Sequence, residues 1–244
     1  MFSIQQQLTI LTQTDSTNNY AMARIRAGLA THGQAWFAME QTAGKGQREK
    51  RWLAEKGANI LLSIALEPEK LGSPQPFIFN ASVAIACHDF FKEISGDETT
   101  IKWPNDIYWR DRKAGGILIE NIYSGEQGWT WSVVGIGLNI NQTSFSPDIK
   151  NAVSLKQITG KDWDVLELTR SLCSAIENRV GSMHPGQILN EYNARLFKKN
   201  ESVKFRKENR LFDAVIKGVN ALGELEVSGA ITETFRSGEV EWII

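Results

Sequence analysis

The chain has 244 residues, of which 42% are hydrophobic and 23% charged, and its formal net charge is -1. This length and composition predict a globular protein with one large domain, or with one large and one small domain. The balanced charge excludes a protein that binds nucleic acid through a general basic field. Met1–Gln5 lack the charged-then-apolar order of a signal peptide, and no apolar run approaches the roughly 20 residues of a membrane span. With Cys87 and Cys173 expected as buried free thiols, we predict a cytoplasmic protein that is not bound to a membrane.

The first part of the chain alternates helical and strand patterns. Asp15-Ser16-Thr17-Asn18 carries an N-cap signature before an apolar-periodic run. Pro76 begins a longer helical pattern, as proline is favoured at the first helical position. The predicted elements are a helix from about 17 to 27, strands at 35–39 and 59–66, and a helix from 76 to about 96.

Three strand patterns and two amphipathic helices come next. Short polar turns join the strands, and this indicates an antiparallel meander. The strands are predicted at 99–109, 116–122 and 129–140, and the helices at 165–180 and 187–197.

The last part of the chain contains short strands separated by turn residues, which indicates a small SH3-like β-barrel. These strands are predicted at 202–205, 211–219, 225–227, 231–235 and 240–243. We therefore predict the α+β class: a mixed, largely antiparallel sheet with helices on one face in domain 1–197, and the barrel in domain 198–244.

The loop from Gln41 to Trp52 combines two glycines with an unusual density of Lys and Arg. Glycine permits close approach of backbone N–H groups to a ligand and permits a positive φ. Such amides with neighbouring cations form a site for anions, and Trp52 offers a flat ring for a base. The alternative is a surface turn, since the spacing is neither that of a Walker loop nor that of a dinucleotide fingerprint.

Three further motifs have a structural and a functional interpretation each. In Lys102-Trp103-Pro104-Asn105-Asp106, the proline predicts a strand edge or a bulge. The structural interpretation is a simple irregularity of the strand. The functional interpretation is a bulge that directs polar side chains into a site. Lys113, before Gly115-Gly116, is either solvated or a compact charge for a carboxylate or phosphate. Gly135-Ile136-Gly137 leaves space above a strand for a flat ligand or for helix packing. The three histidines show no metal-ligand spacing.

In their order along the chain, these pieces resemble the catalytic domain of biotin protein ligases, which is similar to class II synthetases. The matching pieces are Asp15-Ser16-Thr17-Asn18, Gln41 to Trp52, Lys102 to Asp106, Arg112-Lys113 with Gly115-Gly116, and Gly137-Leu138-Asn139. The helices and the small barrel also fit the family layout. Because the chain begins at the catalytic domain, it resembles the monofunctional form without an N-terminal DNA-binding domain.

The resemblance implies an ATP- and Mg²⁺-dependent activation of biotin to biotinyl-5′-AMP, followed by transfer of biotin to one lysine of a biotin carboxyl carrier domain. The residues implied to bind biotin are Ser16, Thr17, Asn18, Gln41, Gly44, Lys45, Gly46, Gln47, Lys113 and Gly115. The residues implied to bind ATP or the adenylate are Arg48, Trp52, Asn105 and Asn139. Lys113 and Lys45 are implied to be catalytic, with Lys113 acting as a cation and not as a base. No protein residue is assigned as a metal ligand.

The loop departs from the family at one position. Many family members have Gly-Arg-Gly-Arg, whereas this chain has Gly44-Lys45-Gly46-Gln47. Lys45 keeps the positive charge but lacks the planar guanidinium group of arginine, and Gln47 has no charge. We therefore expect a weaker hold on the adenylate, unless Arg48 replaces the missing arginine.

Other functions remain as alternatives. A lipoate or octanoate ligase shares the fold class, but this chain lacks the Arg-rich, triple-glycine signature. A protein that binds biotin adenylate without transferring it is a second alternative, against which the retained Lys113 argues. The basic run 198–210 would suit a nucleic-acid-binding barrel, a solvated face or the reception of an acidic carrier domain. We expect no DNA partner, and the exposed sheet edge is compatible with a homodimer as well as a monomer.

Overall fold

The computed structural model describes residues 3–48, 50–72, 75–147, 149, 151–182, 184–229 and 232–243. Within these ranges the chain forms a seven-stranded mixed sheet and then a separate five-stranded antiparallel sheet. The predicted α+β class with a small C-terminal β-unit is therefore confirmed. The boundary between domains 1–197 and 198–244 stays a prediction, and the two sheets lie on opposite sides of it.

The large sheet has the order β1-β2-β3-β7-β6-β5-β4. Its strands are β1 (Leu8–Leu11), β2 (Gln34–Ala38), β3 (Asn59–Leu66), β4 (Thr99–Lys102), β5 (Asp106–Trp109), β6 (Arg112–Ser124) and β7 (Gly128–Asn139). Strands β1 and β2 are parallel, and the other neighbouring pairs are antiparallel. The predicted meander is confirmed in β5, β6 and β7, whereas the short β1 was not predicted.

The prediction of one strand over residues 99–109 is wrong. The segment forms two antiparallel strands, β4 and β5, with a turn between them that contains the cis peptide bond Trp103-Pro104. Pro104 has no N–H to donate to a sheet ladder, so the strand is interrupted there. The hairpin brings Lys102 directly opposite Asp106.

Helices cover both faces of the large sheet. They are α1 (Thr17–Arg26), α2 (Pro76–Ser95), α3 (Leu155–Thr159), α4 (Val165–Val180) and α5 (Pro185–Ala194). Successive residues of a strand face opposite sides of a sheet. Accordingly, Ile64 and Val134 belong to the core under α2 and α4, whereas Ala65 and Val133 pack beneath α1. The prediction of helices on one face holds for α2 and α4, but α1 lies on the other face. All of β3 is buried as a result.

The five-stranded sheet has the order β11-β10-β9-β8-β12. Its strands are β8 (Ser202–Lys207), β9 (Arg210–Val219), β10 (Leu225–Gly229), β11 (Glu233–Phe235) and β12 (Glu241–Ile243). Ile231, which begins one predicted strand, lies outside the described residues. The sheet contacts the rest of the protein through directed hydrogen bonds: Asn193 pairs with both polar groups of the Val219 backbone, and the Trp103 indole donates to the Gly223 carbonyl. These contacts place the end of β9 beside α5 and the β9–β10 turn beside the β4–β5 hairpin.

The described helices include none with the length and apolar character that crossing a membrane requires.

Candidate functional site

A cavity of about 510 Å³ lies on the α1 face of the large sheet, between the glycine loop, the β4–β5 hairpin and the C-terminal sheet. Eleven of the fourteen residues that the sequence predicts for a site line this cavity. They are Ser16, Thr17, Asn18, Gln41, Lys45, Gly46, Gln47, Arg48, Trp52, Lys113 and Asn139. A larger cavity of about 780 Å³ lies between α2 and α4, away from every one of the predicted residues.

One end of the cavity is built from the N-terminus of α1. Ser16 is the N-cap residue, but its side chain makes no capping hydrogen bond. Gln41 caps the helix instead, since its Oε1 accepts from the Thr17 backbone N–H at 2.7 Å and lies 3.0 Å from the Thr17 hydroxyl. Capping from a distant loop satisfies one of the free N–H groups of the first turn. It also fixes Gln41 and Thr17 side by side at the cavity wall.

The glycine loop forms a short hairpin. Lys45 and Arg51 face each other across an antiparallel bridge, and the Trp52 N–H donates to the Gly44 carbonyl at 2.9 Å. Gly44 is required for this closure, because a Cβ there would lie 2.5 Å from the Trp52 carbonyl oxygen. The expectation of a positive φ is wrong for Gly44 and Gly46, and it is Arg48 that has φ of 53°. Residue 49 of this loop lies outside the described residues.

The alternate glycines of β7 do leave space above the sheet, but this chain fills that space itself. A Cβ on Gly137 would lie 2.5 Å from the Trp52 ring, and a Cβ on Gly135 would collide with the Asn18 amide. Asn18 belongs to α1, so Gly135 serves helix–sheet packing. Gly137 instead allows the indole of Trp52 to lie against the backbone of β7. Both side chains are therefore part of the cavity floor.

A β-bulge points Lys113 into the cavity. In the β5–β6 pair, Ile107 lies opposite Gly115 but Tyr108 lies opposite Lys113, so Ala114 is an additional residue in β6. The additional residue puts Lys113 on the same face as Asp106. The Lys113 ammonium then pairs with Asp106 Oδ1 at 2.7 Å and lies 5.9 Å from the centre of the Trp52 ring.

The same bulge decides which glycine meets the cavity. Gly115 faces the opposite side of β6, where a Cβ would collide with Leu138, and it does not line the cavity. Gly116 lines it instead, and a Cβ there would lie 3.3 Å from Asp106 and 3.4 Å from Lys113. Gly44 is likewise not at the cavity surface and supports the loop from behind.

The two asparagines predicted on the nucleotide side have structural partners. The Asn105 amide donates to the Ile117 carbonyl, and this residue lines a neighbouring cavity of about 500 Å³ next to α2. Asn139 lines the main cavity and donates to the Val153 carbonyl at 3.2 Å. The structure thus brings Asn139 to the predicted site and places Asn105 at its edge.

Lys102 is a cavity residue to which the sequence interpretation gave no role. Its ammonium lies 3.2 Å from the Tyr108 hydroxyl and about 5 Å from the centres of two rings, those of Tyr108 (4.9 Å) and Trp242 (5.3 Å). Burial lowers the pKa of Lys102 to about 8, although Asp106 opposes this effect. The sequence feature that could have identified Lys102 is its place as the first residue of the Lys-Trp-Pro-Asn-Asp motif.

The C-terminal sheet contributes a wall that sequence patterns did not predict. Ser237, Gly238, Val240, Glu241 and Trp242 line the cavity. The Arg48 guanidinium lies against Gly238, where a Cβ would be 2.5 Å from its Nη2 atom. The loop and the C-terminal sheet therefore meet directly above the cavity.

The fold is similar to that of solved biotin protein ligases. The structure is similar to the biotin protein ligase from Aquifex aeolicus in complex with biotin and ATP, with a TM-score of 0.80 and 24% identity over 98% of this chain and 99% of that chain. The biotin protein ligase from Leishmania major in complex with biotinyl-5-AMP gives a TM-score of 0.69 and 21% identity over 95% and 99% of the two chains. Residues 10–140, more than half of the chain, match the model of the Biotin/lipoate A/B protein ligase family, and the chain belongs to this family.

Curated relatives agree with this assignment. The bifunctional ligase/repressor BirA of Salmonella typhimurium is 33% identical over 145 residues, which are 59% of this chain and 44% of that protein. This chain thus matches less than half the length of that relative. The biotin–[acetyl-CoA-carboxylase] ligase of Paracoccus denitrificans is 29% identical over 230 residues, which are 90% of this chain and 93% of that protein.

Proposed function

We propose that the protein activates biotin with ATP to biotinyl-5′-AMP and transfers biotin to a lysine of a biotin carboxyl carrier domain. The observation that carries this proposal is a single cavity with a neutral hydrogen-bonding end and a strongly cationic end. Such a cavity suits a ligand that is polar at one edge, apolar in the middle and anionic at the other end.

The neutral end would take the ureido edge of biotin. Gln41, Thr17 and Asn18 present amide and hydroxyl groups there, and apolar side chains such as Leu61 and Leu118 line the cavity nearby. A few fixed polar groups on an otherwise apolar wall are the usual means by which a pocket orients a small molecule.

The cationic end would take the biotin carboxylate and the phosphates of ATP. Of the described residues that line the cavity, six are Lys or Arg and two are Asp or Glu. The cations are Lys45, Arg48, Lys50, Arg51, Lys102 and Lys113, and the carboxylates are Asp106 and Glu241. Attack of a carboxylate on the α-phosphate brings two anions together, so fixed positive charge lowers the barrier.

Lys113 is the residue best placed to stabilise the developing charge. The bulge holds its ammonium at the boundary between the two ends, next to Asp106 and Trp52. The ion pair with Asp106 orients the ammonium. Lys45 would act from the loop side, where it lines the cavity and pairs with Glu120 at 3.6 Å.

The side chains fit Mg²⁺ as an ion that arrives with the nucleotide. The described residues contain no group of three or more His, Cys, Asp or Glu side chains that could hold a metal. Mg²⁺ is usually held by one or two carboxylates together with substrate phosphates, and Asp106 and Glu241 are at the cavity. When bound, the ion would neutralise phosphate charge.

The carrier partner is proposed from the family alone. The acylated lysine must reach the boundary between the two ends of the cavity, where the acyl-phosphate would form. The wall formed by the C-terminal sheet lies beside this opening, so it would contact an arriving carrier. A homodimer and a monomer are both compatible with the structure.

One incubation tests the proposal. The protein is mixed with ATP, Mg²⁺ and a biotin carboxyl carrier domain, and either biotin or lipoate is added. We expect biotin-dependent release of pyrophosphate and a mass increase on the carrier by one biotinyl group. Acylation with lipoate alone would contradict the proposal, and pyrophosphate release without acylation would favour a protein that sequesters the adenylate.

A further inference from the structure

The ammonium of Lys102 lies close to two aromatic rings that belong to different sheets. Tyr108 is in β5 of the large sheet, and the centre of its ring is 4.9 Å from Lys102 Nζ. Trp242 is in β12 of the small sheet, and the centre of its ring is 5.3 Å from the same atom. Both distances are within the range in which a ring attracts a cation. A side chain of the C-terminal sheet therefore contacts a cation of the cavity.

The Trp242 ring is held by packing against other aromatic side chains. Its centre lies 5.2 Å from that of Phe205, which it meets edge-on, and 6.0 Å from that of Phe197. The ring centre of Phe197 lies in turn 5.1 Å from that of Tyr108. Aromatic pairs at such separations add to the stability that burial alone provides. This aromatic cluster connects the two sheets behind Lys102 and fixes the place of the Trp242 ring.

The charge of Lys102 is not paired with a carboxylate in the part of the chain that the structure describes. Its ammonium has three N–H donors, and one of them reaches the Tyr108 hydroxyl at 3.2 Å. Asp106 lies opposite Lys102 in the hairpin, but its Oδ1 atom pairs with the ammonium of Lys113 at 2.7 Å. Burial lowers the pKa of Lys102 to about 8, so its charged form bears a cost that a bound anion offsets.

The place of Lys102 in the cavity differs from that of Lys113. Lys113 is in β6, Asp106 is in β5 and Lys102 is in β4, which is the edge strand of the sheet. Lys102 and Trp242 both line the cavity, so this edge faces the wall formed by the C-terminal sheet. If the α-phosphate of ATP lies beside Lys113, the groups that reach Lys102 are the β- and γ-phosphates.

We propose that Trp242 is a positioning residue that holds the Lys102 ammonium against the leaving pyrophosphate of ATP. The inference rests on the proposed function, because ATP is the substrate of that reaction. An oxygen of the biotin carboxylate bonds to the α-phosphorus, and the bond from this phosphorus to the bridging oxygen breaks. The electron pair of the broken bond leaves with pyrophosphate, whose negative charge increases. A fixed cation stabilises this charge, and Trp242 acts through that cation.

The test separates binding of pyrophosphate from binding of the other substrate groups. Initial rates of pyrophosphate release give the KM for ATP and the KM for biotin. Calorimetry gives the affinities for inorganic pyrophosphate and for AMP, which has the α-phosphate but not the other two. A ring that acts through Lys102 should affect ATP and pyrophosphate, whereas a wall that only closes the cavity should affect all four ligands.

Trp242→Leu keeps an apolar side chain but removes the ring. We expect it to raise the KM for ATP and to weaken pyrophosphate binding by about five- to tenfold, the size of a partly desolvated cation–π contact. The KM for biotin and the AMP affinity should stay within twofold of native. Trp242→Phe restores a ring and should recover most of the loss. The matched control is Trp163→Leu, which removes a half-buried indole at the cavity between α2 and α4 and should leave all four values native.

A double-mutant comparison shows whether Trp242 acts through Lys102. Lys102→Met removes the charge itself, and we expect it to raise the KM for ATP by about thirtyfold. In the Lys102→Met background, Trp242→Leu should add less than twofold, because the ring no longer has a cation to position. Thermal unfolding of each variant shows that it is folded.

Three outcomes overturn the inference while the proposed function stands. Native values in Trp242→Leu would show that the ring does not position the cation. Equal weakening of biotin, AMP and pyrophosphate would show that Trp242 only supports the cavity wall. A full effect of Trp242→Leu in the Lys102→Met background would show that it acts by another route. Absence of biotin-dependent pyrophosphate release by the native protein would overturn the proposed function, and this inference with it.

Discussion

The indole of Trp52 occupies the space that a side chain on residue 137 would fill. A Cβ added to Gly137 would lie 2.5 Å from Trp52 Cε2, closer than side-chain contacts in proteins. The position of Trp52 at the end of the glycine loop therefore depends on the absence of a side chain in β7. This contact couples a central strand of the sheet to the loop that carries most of the cationic residues of the cavity.

We predict that Gly137→Ala displaces Trp52 and weakens binding of biotin and ATP by at least about tenfold. Insertion of a methyl group into such a contact costs about 1–3 kcal/mol, which is one to two powers of ten in a binding constant. The change is measured by calorimetry with each ligand. The matched control is Gly186→Ala in α5, where a Cβ would meet no atom within 4 Å. Equal affinities in Gly137→Ala and Gly186→Ala would contradict the coupling.

A second prediction concerns the cation that the β-bulge directs into the cavity. Lys113→Met removes the charge beside Asp106, and we expect the rate of biotin-dependent pyrophosphate release to fall by about 10²–10³. Lys113→Arg should retain part of the rate, because it keeps the charge in a different shape. Lys161→Met, on an exposed position, serves as the control and should be unchanged. A Lys113→Met rate within threefold of native would rule out this role.

Much of the candidate site was predictable because its motifs are local. Three segments contain polar or charged residues that a solvated turn or a core strand does not require. They are the N-cap run before α1, the charged glycine loop and the turn that contains Lys113. Strand periodicity then predicted β3, β6 and β7 correctly, whereas β4 and β5 were predicted as one strand. The resemblance to a family added the order in which these pieces occur, and the structure collects eleven of fourteen residues in one cavity.

The rest of the candidate site depends on strand register and on contacts between segments that are distant in the sequence. A single additional residue at Ala114 decides that Lys113 and Gly116, and not Gly115, face the cavity, and no periodicity indicates that bulge. Glu120 and Ser63 contact Asn18 across more than forty positions of sequence. The cavity wall formed by the C-terminal sheet results from packing between the two sheets. The hydrophobic pattern of each sheet does not predict how it packs against the other.

A third prediction concerns the uncharged position of the glycine loop. Gln47 lines the cavity and also the neighbouring one beside α2, so it stands at an opening between them. We expect Gln47→Arg to slow the dissociation of preformed biotinyl-5′-AMP by about tenfold, because a guanidinium adds charge-assisted hydrogen bonds to phosphate. Dissociation is followed by filtration of labelled adenylate. Gln187→Arg, on an exposed position of α5, adds the same charge elsewhere. An unchanged or faster rate in Gln47→Arg would count against the idea.

A fourth prediction follows from the buried ammonium of Lys102. Its pKa is lowered to about 8, mainly by burial. As the pH rises from 7 to 9, Lys102 loses its proton and the cavity loses one positive charge. We expect the affinity for pyrophosphate to decline less over this range in Lys102→Arg, which stays charged, than in the native protein. Lys204→Met, on an exposed position of β8, should follow the native profile.

The same pKa has a consequence for stability. In the unfolded chain Lys102 has an ordinary pKa near 10.5, so between pH 8 and 10.5 the unfolded state binds more protons than the folded state. Stability therefore gains a contribution that rises with pH across this window, whereas below pH 8 the folded protein bears the full cost of a buried charge. Lys102→Met removes both effects: relative to native, it should be more stable at pH 7, and the difference should shrink towards pH 10.5. Chemical denaturation at pH 7, 8.5 and 10 measures this difference, and a constant difference across the three values would show that Lys102 titrates normally in the folded protein.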